Sequence, residues 1–400
     1  MDVLHCPILE ELSNIWKKTL EKRYGDGFFL INEAVGRLKL MANRFYELGL
    51  NDPTFTSEIL SKEPYKYEQR MSEILFSDRL IRDGYKLSSD KEGPDFKAEK
   101  NGKVTWFEVI TPSPVPKLEK QFKDPNYRLN PTQEGARLAS YTTLLKTTAA
   151  VREKNKKIVT YINDGIISEG DATIIVINDS LFFPLDLPTI GLNCEIAEGC
   201  SGLPLIIEAL MGIGQAHWIK NQSDNNHQIV RANNDFIINQ NNSSVDTNRF
   251  RTDRYNSISG VFVLTLREDY GLAEVIYEHV KNKKNKGVFL TNPNTTRPFE
   301  PRDLSARHIE HKRLDELTRI SDDNPVSCLM TKTVAGYLME LNSYLGYIRQ
   351  LFIKAGVHVA NETTNEVSIS QKALEGGFGK YVVDYDEASG LPIGVSLLEE

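Results

Sequence analysis

Apolar residues recur at helical spacing through residues 1–62. Leu9, Leu12, Ile15 and Trp16 form one stripe, and Ile31, Ala34, Leu38, Leu40 and Met41 form a second. Spacing of this kind predicts amphipathic helices. Asn51-Asp52-Pro53 breaks the pattern before a shorter helix near 57–61. A further stripe of Met71, Ile74, Leu75 and Ile81 predicts a helix over 67–83, closed by Gly84. The period then changes from helical to alternating. Residues 85–88 predict a brief strand, and residues 93–112, GPDFKAEKNGKVTWFEVITP, predict a hairpin.

The hairpin is the most specific local signal in the chain. Asn101-Gly102 suits a two-residue type I′ turn, which needs φ > 0 at both positions. Counting outward from that loop sets Lys100 opposite Lys103, Lys97 opposite Trp106 and Phe96 opposite Phe107. Asp95 then falls opposite Glu108. Side chains alternate along a strand, so the two carboxylates share one face and the two phenylalanines the other. Like charges set directly across a ladder destabilise it, and Phe96, Trp106, Phe107, Val109 and Ile110 make both strands read as buried. A divalent cation held between the carboxylate oxygens would offset the repulsion. The bland alternative is a pair of acids at the solvated rim of a surface hairpin.

Pro112, Pro114 and Pro116 end the second strand. Asn130 as N-cap, Pro131 at the first helical position and Gln133 then start a long helix over 131–163. Its apolar stripe is Tyr141, Leu144, Leu145, Val151, Ile158 and Ile162. The β-branched run 174–177 predicts a central strand. Residues 202–214 predict a short helix. Within them Met211-Gly212-Ile213-Gly214 lacks the preceding strand and third glycine of a dinucleotide site. Residues 221–248, rich in asparagine, predict a long loop. Strands are predicted at 261–266 and 287–290, with Lys281, Lys283, Lys284 and Lys286 in a basic turn between them. Beyond Arg297 the pattern turns helical, most clearly over 333–355. No internal repeat is present.

Composition changes this picture little. The chain has 400 residues, 40% hydrophobic and 26% charged, as in ordinary globular proteins. Its formal net charge of −7 argues against a generally basic coat for nucleic acid, though not against a local positive groove. Cys6, Cys194, Cys200 and Cys328 have no zinc-ligand spacing and read as free thiols of a reducing compartment. No basic segment followed by an apolar one opens the chain, and no apolar run approaches bilayer length. A soluble cytoplasmic protein is expected, without a membrane partner.

The order helix, three strands, helix, strand, with acids at these points, resembles the core of the PD-(D/E)XK nuclease superfamily. Pro94-Asp95 resembles the PD half-motif, Glu108 the following acid, and Glu73 in Arg70-Met71-Ser72-Glu73 the acid many members carry on the first helix. The resemblance covers about 67–179, and Asn292-Pro293 resembles a late segment of relatives. The family lysine belongs two residues after the second acid, where this chain has Ile110. Residues 145–154, LKTTAAVREK, followed by Tyr161 and Gly165, are similar to members whose lysine comes from the second helix. In that pattern Lys154 takes the lysine's place and Lys146 stands where relatives often have arginine, with Lys97 as the competitor.

The resemblance implies an α/β fold, a restriction-endonuclease-like αβββαβ core with a mixed central sheet and helical additions at both ends. The corresponding divisions are 1–66 (helical), 67–298 (nuclease-like, core 67–179) and 299–400 (mainly helical). It also implies metal-assisted phosphodiester hydrolysis of nucleic acid, DNA in the first instance. Asp95, Glu108 and the Val109 carbonyl would hold Mg²⁺ (Mn²⁺ as substitute), with Glu73 reaching it through water or holding a second ion. Lys154 would orient the attacking water, and Lys97, Lys146 and Lys157 would contact phosphates. A homodimer, or a protein partner bound through the helical ends, is compatible with this reading.

Two other readings follow from the same residues. Ile110 at the lysine position suits a degenerate nuclease fold that binds nucleic acid or protein without cutting. The helical ends suit a regulatory or host-directed interaction protein with the core as scaffold. A serine or cysteine hydrolase is disfavoured: there is no Gly-x-Ser-x-Gly elbow, and His308 and His311 lack the His-Glu-x-x-His form.

Overall fold

The computed structural model describes residues 6–24, 30–90, 92–114, 116, 120, 133–182, 204–220, 227–239, 241–280, 287–309, 359–361, 381–385 and 392–397. Helices α1 (Leu9–Tyr24), α2 (Ile31–Glu47), α3 (Phe55–Ile59) and α4 (Lys66–Arg82) come first. Strands β1 (Lys86–Ser88), β2 (Phe96–Lys100) and β3 (Lys103–Ile110) follow, then the long helix α5 (Gln133–Asn163) and β4 (Ala172–Asn178). After them come α6 (Leu205–Met211) and strands β5 (Ile213–Lys220), β6 (His227–Asn233), β7 (Phe236–Ile238) and β8 (Ser244–Asp246). Strand β9 (Gly260–Leu264), α7 (Asp269–Val280), β10 (Val288–Thr291) and β11 (Arg307–Ile309) complete the central unit. Strands β12 (Val359–Asn361), β13 (Tyr381–Tyr385) and β14 (Pro392–Leu397) make a separate three-stranded sheet.

The fold is mixed α/β around a seven-stranded sheet in the order β1-β2-β3-β4-β9-β10-β11. β1, β2 and β3 pair antiparallel, β3, β4 and β9 pair parallel, β10 runs antiparallel to β9, and β11 pairs parallel with β10. The hairpin has the register counted from the sequence, from Lys100–Lys103 out to Phe96–Phe107. Its turn residues, Asn101 and Gly102, have φ of +54° and +72°, the left-handed values a type I′ turn needs.

Alternation along the strands divides the interior into two layers. Phe96, Phe107, Val109, Ile174, Val176 and Phe262 face helices α1–α4. Trp106, Ile175, Ile177 and Val261 face the other way, toward Leu144, Val151 and Ile158 of α5 and toward α6. Phe76 of α4 sits 5.9 Å from Phe96 and 5.5 Å from Phe107, ring centre to ring centre, and so pins the hairpin to its helix. β4 is buried along its whole length, as its β-branched sequence predicts.

Polar ties hold the layers together at the carboxyl ends of the strands. The Asn178 amide donates to Thr111 Oγ1 (3.2 Å) and to the Leu266 carbonyl (3.1 Å), and its oxygen accepts the Leu266 N–H (2.8 Å). Thr111 in turn donates to Ser72 Oγ on α4 (3.1 Å). On the other side, Arg23 at the end of α1 reaches Glu268 (2.8 Å) and Asp269 (2.6 Å), and the Tyr24 hydroxyl donates to Asp269 (2.8 Å).

Several expectations need correction. Residues 221–248 are not one long loop: β6 pairs with β5, and β7 with β8. The asparagines serve the turns, since Asn239 Oδ1 accepts the Asn241 and Ser243 amides (2.9 Å each) and Asn242 takes φ +58°. Most of the region 299–400, expected to be mainly helical, lies outside the described residues; those described there form a 3₁₀ turn at Pro301–Asp303 and four strands, β11 to β14. The helix expected at 333–355 lies outside the described residues, as do Asn130 to Thr132 and Cys194, Cys200 and Cys328. Leu40, counted in the apolar stripe of α2, is 65% exposed. The short helix expected in 202–214 is present as α6, stopped by Gly212 at φ +64°. Among the described residues no helix is long and apolar enough to cross a membrane.

Asn178→Ala would strand the buried Leu266 N–H and carbonyl, and each unsatisfied buried group costs about 1–3 kcal/mol. Urea denaturation is therefore expected to show a loss of about 3 kcal/mol, as a lower midpoint with an unchanged slope.

Candidate functional site

The sheet places Glu108 in the layer facing α5, one strand in from Asp95. Glu108 is 2% exposed, on a strand whose neighbours are apolar. A carboxylate so desolvated needs a cation, and α5 supplies one. Lys154 Nζ lies 2.7 Å from Glu108 Oε1, itself buried, and Lys157 Nζ stands 3.7 Å from the same oxygen. Burial pulls the Lys154 pKa down, but Glu108 and Asp95 outweigh it and raise it, so the ammonium stays charged.

Asp95 does not continue the ladder. Pairing stops at Phe96–Phe107, the backbone bends at Asp95, and its Oδ2 accepts the Val109 N–H at 2.6 Å. The side chain thus takes over the amide that a longer β2 would have paired. Burial first, and the Glu108 charge second, push the Asp95 pKa up to about 6. The same two acids, after burial, push the Tyr161 hydroxyl up to about 12.

Asp95 and Val109 open onto a cavity of about 580 Å³ between α4 and α5. Both walls carry acids and bases, with Arg70 and Lys66 among the acids of one and Glu153 among the lysines of the other. On the α4 side stand Glu73, Asp52 and Glu58; on the α5 side stand Lys146, Lys154 and Lys157. Arg70 ties the acids of its wall together. It binds both oxygens of Glu73 (3.0 and 3.1 Å), Asp52 (2.9 Å) and Glu58 (2.5 Å). Burial, then the Asp95 charge, raise the Glu73 pKa well above the carboxylate range despite Arg70.

The cavity therefore brings together Glu73, Asp95, Val109, Lys146, Lys154 and Lys157, with Glu108 behind Lys154. Lys146 donates to Ser113 Oγ at 3.1 Å on the rim. Ile110 lines the cavity too. Lys97 does not: its ammonium sits 5.0 Å from the centre of the Trp106 ring. The sequence reading assigned no role to Arg70, Asp52 or Glu58. The spacing of Arg70 and Glu73, three apart on a helix, signals their pair; nothing local links Asp52 or Glu58 to it.

Among the described residues no group of three or more His, Cys, Asp or Glu side chains is placed to hold a metal ion. The donor set on offer is two carboxylates, Asp95 and Glu108, with the Val109 carbonyl. Hard oxygen donors of this kind fit Mg²⁺, which keeps several of its waters and takes one or two carboxylates. No family model, curated protein or solved structure matches the chain.

The raised Asp95 pKa sets a pH dependence. An aspartate in the unfolded chain titrates near 3.9, so between about pH 4 and pH 6 the folded protein keeps a proton that the unfolded chain has lost. The stability this group contributes is complete below that window and lost as pH rises through about 6. Asp95→Asn keeps an acceptor for the Val109 amide and removes the charge. From pH 5 to pH 7.5 it is expected to gain about 1 kcal/mol on the wild type, read from denaturation curves at the two pH values.

Proposed function

We propose that the chain is a metal-dependent nuclease of the PD-(D/E)XK kind, cutting phosphodiester bonds of nucleic acid, DNA in the first instance, in the cytoplasm. The observation that carries the reading is the 2.7 Å pair from Lys154 to Glu108, with Lys154 lining one cavity together with Asp95. It puts a lysine from the second helix of the core next to the two acids, as the relocated-lysine pattern requires. The element order α4-β1-β2-β3-α5-β4, with β3 and β4 parallel, supports the same reading.

Bound at Asp95, Glu108 and the Val109 carbonyl, Mg²⁺ or Mn²⁺ would supply a nucleophilic water and neutralise charge on the scissile phosphate. The chain's own residues do the rest. At neutral pH Asp95, with its pKa at about 6, is ionised and fixed by the Val109 amide. Lys154 donates from Nζ to the attacking water and to a non-bridging phosphate oxygen, where negative charge develops. Lys146 and Lys157 draw the phosphate to the α5 wall. Glu73, held by Arg70 on the opposite wall, is pushed toward its neutral form by burial and by Asp95, and so lines the cavity as a hydrogen-bonding group beside that aspartate.

One observation favours a second reading, a degenerate fold that binds nucleic acid or a protein without cutting. Ile110 lines the cavity where the family lysine would stand.

Purified protein incubated with plasmid, linear DNA and RNA is expected to cut in Mg²⁺ or Mn²⁺ and not in EDTA. Asp95→Asn and Lys154→Gln are expected to lower the rate at least about 10²-fold, with circular dichroism verifying the fold, and Lys97→Ala to leave it unchanged. Absence of cleavage on every substrate, with activity appearing in Ile110→Lys, would establish the binding reading instead.

A thermal shift tests the metal independently of turnover. Mg²⁺ at a hundred times its Kd adds about 2.7 kcal/mol to a protein that binds it only when folded. The wild type is expected to melt higher in Mg²⁺ than in EDTA, and Asp95→Asn to melt equally in both.

A further inference from the structure

A second cavity, of about 440 Å³, lies along the opposite flank of α5, where the β7–β8 hairpin and the segment after it pack against the helix. The Tyr141 hydroxyl fastens the hairpin to α5 by donating to the Ile238 carbonyl. Lys146 and Ala149 line both this cavity and the one that holds Asp95, so the two are neighbours across one ridge of the helix. Ala149 is exposed and small, which keeps that ridge low.

The lining sets cations and polar groups among apolar surface. Lys146, Arg152 and Arg249 contribute charge, Thr148, Asn239 and Asn241 contribute polar groups, Leu145 and Val245 contribute apolar surface, which makes up the larger share, and among the described residues no carboxylate lines it. Arg249 is the decisive residue. It is only 4% exposed, and among the described residues its Nε has no hydrogen-bond partner, while Nη1 donates to the Thr148 carbonyl. Its guanidinium lies 5.4 Å from the centre of the Tyr255 ring. No described carboxylate bridges it; the nearest acid acting on it, Asp246, pairs with Arg254 at 3.5 Å. Burial, and then the like charge of Arg152, lower its pKa. A desolvated cation without a counter-charge is costly, and here a counter-charge has an open cavity through which to arrive.

We propose that this cavity is a phosphate subsite, in which Arg249 and Arg152 hold the backbone of the nucleic-acid strand whose scissile phosphate lies across Lys146. The assignment rests on the nuclease reading for the identity of the strand. A chain with net charge −7 repels nucleic acid at long range, so binding must come from a local run of cations. Lys157, Lys146, Arg152 and Arg249 form such a run along and beside α5, interrupted by Glu153, with Lys154 already paired to Glu108. Guanidinium forks suit phosphate oxygens, and the amide group of Asn239, whose oxygen is already taken by backbone N–H groups, is left to donate.

The test is fluorescence anisotropy of a short labelled DNA oligonucleotide in EDTA, titrated at several salt concentrations, alongside cleavage of the same DNA in Mg²⁺. Arg152 is exposed, so Arg152→Ala is expected to fold. It should weaken binding about tenfold and lower the slope of log affinity against log salt by about one. Arg249→Lys keeps a charge in the core but loses the fork, and should weaken binding as well. Lys17→Ala, on an exposed face of α1, is the control and should change neither. Wild type that binds but never cuts, with Arg152→Ala weakened, upholds the subsite and refutes the enzyme. Wild type that cuts, with Arg152→Ala unchanged in affinity and slope, overturns the subsite alone. Wild type without affinity for DNA, or competition by inorganic phosphate that is equal in wild type and both arginine variants, overturns it too.

Discussion

A single ion pair fixes the centre of this protein. Glu108 stands on a central strand, in the apolar layer between sheet and helix, where a bare carboxylate is intolerable. Only a cation delivered from across that layer makes the position possible, and Lys154 delivers it at 2.7 Å. Removing one member of a buried pair usually costs more than the pair itself contributes, because the other charge is left stranded. The pair therefore dictates how α5 sits on β3, in rotation as well as in distance. With that geometry set, Lys157, one turn on, and Lys146, two turns back, are carried to the cavity wall, and Ala149 to the ridge beside it.

The cavity works as a divided space because its walls come from different layers. α4 belongs to the layer of Phe96 and Phe107 and brings Glu73 and Arg70, which gathers Asp52 and Glu58 from the segment before it; α5 belongs to the layer of Trp106 and brings lysines with Glu153. The sheet ends between them, at the point where β2 stops and Asp95 takes the Val109 amide. Asp95 is pressed toward neutrality by burial and by Glu108, while Lys154 and the amide pull it back. Balance of this kind, with opposed charges held close in a partly dry space, is the condition under which a metal ion or a phosphate gains most on entry.

The hairpin was legible because its signal is local. Asn101-Gly102 fixes the turn, the turn fixes the register, and the register carries Phe96 to Phe107. What lay one residue further out was not legible: Asp95 leaves the ladder, and an alternation rule has no means to end itself. Lys154 was reachable only through the resemblance of residues 145–154 to the relocated-lysine pattern, and its 2.7 Å contact depends on how a 31-residue helix lies on the sheet. Asp52 and Glu58 joined the site with no sequence signal, since only packing of α3 against α4 brings them to Arg70. The loop expected at 221–248 failed for a different reason. Its asparagines mark turns, and the short strands between those turns hold too few apolar residues to announce themselves.

The buried contact of Arg23 with Asp269 has a consequence for synthesis on the ribosome. The partners are 246 residues apart in the chain. At 5–20 residues per second, Arg23 emerges roughly 12–50 s before its counter-ion exists. Through that interval α1 cannot bury its final turn without stranding a guanidinium, so the first-made helix is among the last to be locked in place. Contacts this distant in sequence also slow folding, since the loop between them must close before they contribute. The end of α1 thus reaches its contacts with Glu268 and Asp269 only once β9 and the start of α7 have been made.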